Sequence, residues 1–292
     1  MEKMRQIDLA DWTKVGEGGN GFTYENPAQP DVILKVNKPK MNSLSFVEHD
    51  YSVSKAVESI GLPTPRMFET VKVGDKLYGT ISERIKNKKS LSRICHDDPS
   101  RIEEMARVLC REGKKLFATP CPKDRFPSRR EQLLSVIDKV KYLSGRNREV
   151  VRQFASTIKE NDGCVHGDFQ MGNLIESEGK YYWIDLDRFG YGDPMFDIGH
   201  LFLICKVYSS IKINQEIFHL TEDQFGLFWD AFAKEYTGEE NHSEFDALAG
   251  KYALMDIVVR QNFTQPTFAE SIFFRIMANK VVRKYFLIQN IT

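Results

Sequence analysis

Asp168 and Asn173 stand five positions apart in Cys164-Val165-His166-Gly167-Asp168-Phe169-Gln170-Met171-Gly172-Asn173, and Asp185 follows twelve positions later in Ile184-Asp185-Leu186-Asp187. The residues between read as a hairpin, Asn173–Glu176 and Tyr181–Asp185 about Glu178-Gly179. An Asn at the start of such a hairpin and an Asp at its end bring two hard oxygen ligands together, a pattern suited to magnesium, which keeps water and phosphate oxygens in its other positions. A carboxylate just ahead of them, Asp168, could orient an attacking hydroxyl and accept its proton, as phosphoryl transfer requires. Taken singly, an Asp in a Gly-containing loop is usually a turn or a cap, and an Asn before a strand a turn residue. Their conjunction, in this order, points to chemistry.

Two upstream features fit the same chemistry. Gly16-Glu17-Gly18-Gly19-Asn20-Gly21 has the spacing G-x-G-x-x-G. Alone it is a tight glycine turn, since glycine reaches positive φ without cost. A dinucleotide fold would need a helix next, but Phe22-Thr23-Tyr24 are strand formers, and strand-turn-strand is the setting of a flap over nucleotide phosphates. Lys35 interrupts the apolar strand Val32-Ile33-Leu34-Lys35-Val36, where a charge is costly unless it meets solvent or a partner. It is an outward lysine, or one aimed at phosphates and held by a carboxylate of the following helix. Glu48 and Asp50 compete for that pairing. Phe46, Asp50, Val53, Val57 and Ile60 recur at helical spacing, so Asp50 shares the apolar face and is the choice.

The elements that must position these residues fall into two groups. Before residue 86 the chain reads as strands: residues 32–36, then Thr70–Val73 and Lys76–Ile81 joined at Gly74-Asp75, with one helix over residues 44–60 stopped by Gly61 and Pro63. From Asp98-Pro99 onward helices dominate. They are expected from there to Thr119, over 129–143 and 148–160, after the Thr221/Gln224 capping box, and after Pro266 with Ile272, Ile276 and Val281 on an apolar face. The expected fold class is α+β, with a small antiparallel sheet and one main helix in residues 1–85 and a larger helical part in residues 86–292. Lys plus Arg and Asp plus Glu both total 41, so no charge excess argues for nucleic acid or an anionic membrane. The charged start Met1-Glu2-Lys3-Met4-Arg5 lacks an apolar run behind it, and Met195–Val207 is broken by Asp197, His200 and Lys206. Five scattered cysteines without Cys-x-x-Cys spacing read as free thiols. A cytoplasmic location without an obligatory protein partner is the expectation.

These segments resemble the aminoglycoside phosphotransferase and choline kinase superfamily, whose fold is the bilobal protein-kinase-like one. His166-Gly167-Asp168 with Asn173 resembles its H-G-D-x-x-x-x-N loop, Ile184-Asp185 its metal-binding I-D, and Asp193-Pro194-Met195-Phe196-Asp197-Ile198 its D-P-x-x-D-[IL]. Gly61-Leu62-Pro63-Thr64-Pro65 is similar to its G-[IV]-P-x-P, and counting back from Gly61 the family's helix glutamate falls on Asp50. The resemblance implies an ATP- and magnesium-dependent kinase acting on a small-molecule hydroxyl. Asp168 would be the base, and Asn173 and Asp185 the metal ligands. Lys35 would meet the α- and β-phosphates beneath a flap containing Gly18, Gly19, Asn20 and Gly21. Ile81 would stand at the back of the adenine pocket, and the Ser82 carbonyl and Arg84 amide would meet the adenine edge. His166 and Asp197 would brace the loop. Asp50 in place of glutamate, and Phe117 where the family often has histidine, are the departures.

A protein kinase fits less well. Gly167 occupies the place of the arginine that binds an activation-loop phosphate, and the eight positions from Asp185 to Asp193 leave no room for an activation segment. A non-catalytic nucleotide-binding pseudokinase would have lost Asp168, Asn173, Asp185 or Lys35, and all four are present. Phe225, Phe228, Trp229, Phe232 and Tyr236, followed by Glu239, Glu240, Glu244 and Asp246, could hold a cationic acceptor. A core helix followed by a solvated acidic loop is the preferred reading.

Overall fold

Alternating apolar and polar residues make the beginning of the chain a sheet. A computed structural model describes residues 4–17, 21–39, 42–263 and 266–287. Contacts divide the chain into two units, residues 1–89 with 175–187, and residues 90–174 with 188–292. The first unit contains β1 (Gln6–Ile7), β2 (Thr13–Glu17), β3 (Gly21–Glu25), β4 (Val32–Asn37), α1 (Leu44–Ser59), β5 (Met67–Val73) and β6 (Leu77–Glu83). The sheet order is β1-β5-β6-β4-β3-β2, antiparallel throughout except where β1 runs parallel to β5. Leu34, Val36, Val71, Val73 and Ile81 project from one face and pack with Ile7 and Trp12. Ser43 caps α1 by accepting from the Phe46 N–H at 3.2 Å, and Gly61 at φ 81° takes the chain out of it.

β7 (Lys89–Ser90) marks the crossing to the second unit, which is mostly helical: α2 (Leu91–Asp97), α3 (Ile102–Ala118), α4 (Arg129–Val136) and α5 (Gly145–Thr157). Asp98 caps a short 3-10 turn that leads into α3. The helix expected over 129–143 stops at Val136, and Arg148 donates to the Ile137 and Val140 carbonyls at 3.2 and 2.8 Å in the turn that follows. Next come β8 (Cys164–Val165), β9 (Leu174–Ser177), β10 (Lys180–Trp183) and β11 (Gly190–Tyr191). The β9–β10 hairpin turns on Glu178 and Gly179, both at positive φ (52° and 77°), as a two-residue hairpin loop demands.

The remaining helices are α6 (Met195–Phe202), α7 (Lys212–Phe218), α8 (Glu222–Thr237), α9 (Ser243–Val259) and α10 (Phe268–Tyr285), with a wider π-type turn over Leu203–Val207 after α6. The Thr221/Gln224 capping box forms. Phe225, Phe228, Trp229 and Phe232 are fully buried, each contributing roughly 1.5–3 kcal/mol of hydrophobic stabilisation. On α10 the buried residues are Ala278, Val281 and Val282, whereas Ile272 and Ile276 are exposed, contrary to the face expected of them. Among the described residues no helix is long and apolar enough to cross a membrane. All five cysteines are buried free thiols.

Candidate active site

In the first unit, the register of three strands sets one wall of a cavity of about 290 Å³. Thr23 faces Lys35 across β3–β4, Lys35 faces Thr80 across β4–β6, and Ile33 faces Ser82. All five line the cavity, together with Gly21, Asp50, Met67, Glu83, Ile85, Lys88 and the segment Ile184–Leu186. Side chains alternate between sheet faces, so Leu34 and Ile81 belong to the apolar core on the other side. Ile81 is therefore not at the back of this pocket, and Thr80 and Ser82 are. The Arg84 amide also departs from its expected role. It donates to the Asp31 carbonyl at 2.9 Å, and its guanidinium pairs with Glu25 at 2.7 Å. A shift of one residue exchanges the two faces of a strand, and the sheet puts Ile81 on the core face and Thr80 on the cavity face. Gly21 lies where a Cβ would stand 2.7 Å from the Val36 carbonyl. Gly18, Gly19 and Asn20 lie outside the described residues.

Lys35 Nζ lies 2.8 Å from Asp185 Oδ1. Asp185 holds φ 56°, a left-handed conformation costly for a residue with a Cβ. The Asp185 charge, countered by desolvation and reinforced by Asp50 and Asp187, drives the Lys35 pKa well above its ordinary value. Asp50 is 8% exposed and lines the cavity, while Glu48 is exposed. The direct partner of Lys35 in this structure is thus Asp185, with Asp50 acting on it through space.

In the second unit, antiparallel pairing of β8 with β11, Val165 to Gly190 and Cys164 to Tyr191, anchors the loop that carries Asp168. The Asp197 carboxylate accepts from the His166 N–H at 2.6 Å and the Gly167 N–H at 2.8 Å. Burial pushes Asp197 up to about 6, against the pull of those N–H groups and Arg129. Gly167 sits at φ 81°, and a Cβ there would overlap the Arg129 guanidinium and the Arg188 carbonyl. Arg129 donates to that carbonyl. Asn173 Nδ2 donates to the Asp168 carbonyl at 2.8 Å and to its Oδ2 at 2.9 Å. Both amide protons are thereby directed at Asp168, which turns the amide oxygen elsewhere. Burial would raise the Asp168 pKa, but the close contact and charge of His200, with the charges of Arg188 and Arg260, hold it far below the usual carboxylate range.

Asp193 caps α6 by accepting from the Met195 N–H at 2.9 Å, and takes the Tyr252 hydroxyl at 2.6 Å. The aromatic residues of α8 form no cage: Trp229 Nε1 donates to Asp246 at 2.8 Å and its ring stacks on Phe245. Asp246 also contacts His242 Nδ1 at 2.9 Å, so that acid belongs to the packing. His200, Asp256, Arg188 and Arg260 surround Asp168 and were not singled out from the sequence. The spacing of His200 three residues after Asp197 on one helix was the available signal.

The phosphotransferase enzyme family model matches residues 22–211. The chain belongs to the phosphotransferase enzyme family. A search of curated proteins finds no match. Among solved structures, this phosphotransferase is similar to a choline/ethanolamine kinase family protein from Mesorhizobium loti at 14% identity, covering 94% of this chain and 88% of that one, with a TM-score of 0.55. A thermostable mutant of aminoglycoside phosphotransferase APH(4)-Ia, in ternary complex with ADP and hygromycin B, matches at 15% identity over 94% of both chains, TM-score 0.58. An amicoumacin kinase in complex with AMP-PNP and Ca2+ matches at 15% identity over 96% of this chain and 90% of that one, TM-score 0.56. The phosphotransferase is α+β with a protein-kinase-like fold.

Proposed function

We propose that the enzyme transfers the γ-phosphoryl group of ATP, with magnesium, to the hydroxyl of a small metabolic alcohol, an amino alcohol, amino sugar or sugar. The hydroxyl oxygen bonds to the γ-phosphorus, its proton passes to Asp168, and the bond from that phosphorus to the β–γ bridging oxygen breaks, leaving ADP with the electron pair. Lys35 meets the α- and β-phosphates from the cavity of the first unit. Thr80, Ser82, Glu83 and Ile85 offer the adenine its wall and rim in place of Ile81 and Arg84. Asn173 and Asp185 would hold magnesium, which when bound neutralises phosphate charge and the charge developing in the transition state. The residues fit it: Asn173 has its amide oxygen left over after both N–H groups serve Asp168, and Asp185 is a carboxylate against a cation.

The observation that carries this reading is the pair Asp168–Asn173, an ionised carboxylate braced by the amide that follows it five residues later. Similar structures contain ADP or AMP-PNP, which supports a nucleotide as donor. Burial of Phe225, Phe228, Trp229 and Phe232 removes these α8 rings as a site for a cationic acceptor. Purified enzyme with ATP and magnesium should release ADP slowly to water, and Asp168→Ala should abolish that release. Equal release from both proteins would overturn the assignment. A panel of hydroxyl acceptors, followed by ATP consumption and product mass, would then identify the substrate, and efficient turnover of an aminoglycoside would contradict a metabolic acceptor.

A further inference from the structure

Asp168 is one end of a row of charges to which the assigned roles give no task. His200 Nε2 lies 3.1 Å from Asp168 Oδ1, and its Nδ1 lies 3.1 Å from Asp256 Oδ2. Arg260 Nε approaches that same Asp256 oxygen at 3.1 Å, and Arg188 Nη1 lies 3.5 Å from Asp168 Oδ1. His200 is only 3% exposed. A long-range packing choice makes this row possible. A Cβ at Gly199 would stand 2.7 Å from the Tyr252 carbonyl carbon and 2.9 Å from the Ala253 nitrogen. Glycine there lets α6 and α9 approach closely, and the next residue, His200, reaches both carboxylates.

Each nitrogen of the ring faces a carboxylate, and a neutral imidazole has only one N–H to offer. Arg260 offsets one of the two negative charges, and its Nη2, 3.1 Å from His200 Nδ1, opposes a proton on that nitrogen. Arg188 stands beside the other carboxylate, and only a doubly protonated ring presents an N–H to both Asp168 and Asp256. We propose that His200 is a positioning residue for Asp168, a cation that bridges Asp168 and Asp256 and fixes the carboxylate for the hydroxyl it must meet. This rests on Asp168 being the base. Nε2 lies off the line of a straight hydrogen bond to Asp168, so the contact is first an electrostatic one. Burial pushes His200 down, but the Asp256 charge and the contacts with Asp168 and Asp256 outweigh it and lift the ring to about 9. The charged groups facing the ring are Asp168 from the catalytic loop, Asp256 from α9, Arg260 from the turn after it, and Asp197 from its own helix. Arg188 acts on both carboxylates, and Tyr208 on Arg260.

His200→Gln keeps an N–H donor but removes the charge. ADP release with ATP and magnesium should fall about a hundredfold in kcat with the nucleotide KM within about twofold, the size of effect expected when a catalytic base is mispositioned. Wild-type kcat should decline in an alkaline limb with a midpoint near pH 9, and His200→Gln should lack that limb. Independently of activity, the His200 ring protons of the full chain, followed by NMR, should titrate near pH 9 and shift to lower pH in Asp168→Asn. This measurement decides the matter even where His200→Gln does not fold. A folded His200→Gln with wild-type kcat, an unchanged alkaline limb, or a ring titrating at or below its ordinary value would each overturn the proposal. Full ADP release by Asp168→Asn would instead remove the base assignment, and this inference with it.

Discussion

Two acid–base pairs sit in very different surroundings. In the first unit, Lys35 and Asp185 keep 35% and 47% of their side chains exposed. In the second, Asp168 at 28% is the most open member of a set whose others, His200, Asp256 and Arg260, are 3%, 12% and 24% exposed. A half-exposed pair contributes little to stability and can exchange its partner for a ligand at small cost. A buried set is expensive to break, because removing one partner leaves another charge out of water and uncompensated. A lysine proposed to exchange its carboxylate for phosphates suits the first arrangement. A carboxylate that must keep one ionisation state and one orientation suits the second, since preorganised charges need no rearrangement during the reaction.

Asp168→Asn, which removes the proposed base while keeping the shape, should give the largest effect, a loss in kcat of about 10³-fold or more, with some loss of thermal stability because His200 and Arg188 lose a carboxylate partner. Asp256→Ala should destabilise the protein by about 3–5 kcal/mol in urea unfolding, by leaving His200 and Arg260 uncompensated. A cost near zero would show the second unit to be as forgiving as the first. Ile81→Ala should lose about 2–5 kcal/mol of stability with the nucleotide KM unchanged, because the side chain belongs to the core. A raised KM would restore Ile81 to the pocket.

Stability should also depend on pH in two windows. The His200 pKa is raised from 6.5 to about 9, so its contribution is complete below 6.5 and disappears as pH rises through 9. The Asp168 and Asp256 pKa values are lowered from 3.8, so their contribution is present above that value and lost as pH falls further. Chemical denaturation across pH in wild type and His200→Gln would show the alkaline loss only in the former. Lys35→Ala should be the smallest in stability, within about 1 kcal/mol, while raising the nucleotide KM.

The sequence was most informative where the chemistry is local. The run His166 to Asn173 could be read as one loop, and Glu178-Gly179 as a two-residue hairpin turn, because neighbours a few residues apart fix both. The capping box before α8 and the Gly74 turn (φ 56°) before β6 were legible for the same reason. Strand faces were harder: alternation identifies two faces but not which one meets the cavity, and Ile81 lies in the core while the Arg84 amide bonds the Asp31 carbonyl. The face of α10 was ambiguous in the same way.

By itself the sequence determined the α+β class, the glycine at 167 and the loop that carries Asp168 and Asn173, since each follows from neighbours a few residues away. Only the tertiary structure decided that Lys35 meets Asp185 first, 150 residues on, and that His200 stands between Asp168 and Asp256. Those encounters depend on strand pairing and on how closely two helices pack at Gly199. The physical reason is that such contacts are set by distances the folded chain creates, which no spacing along the chain encodes.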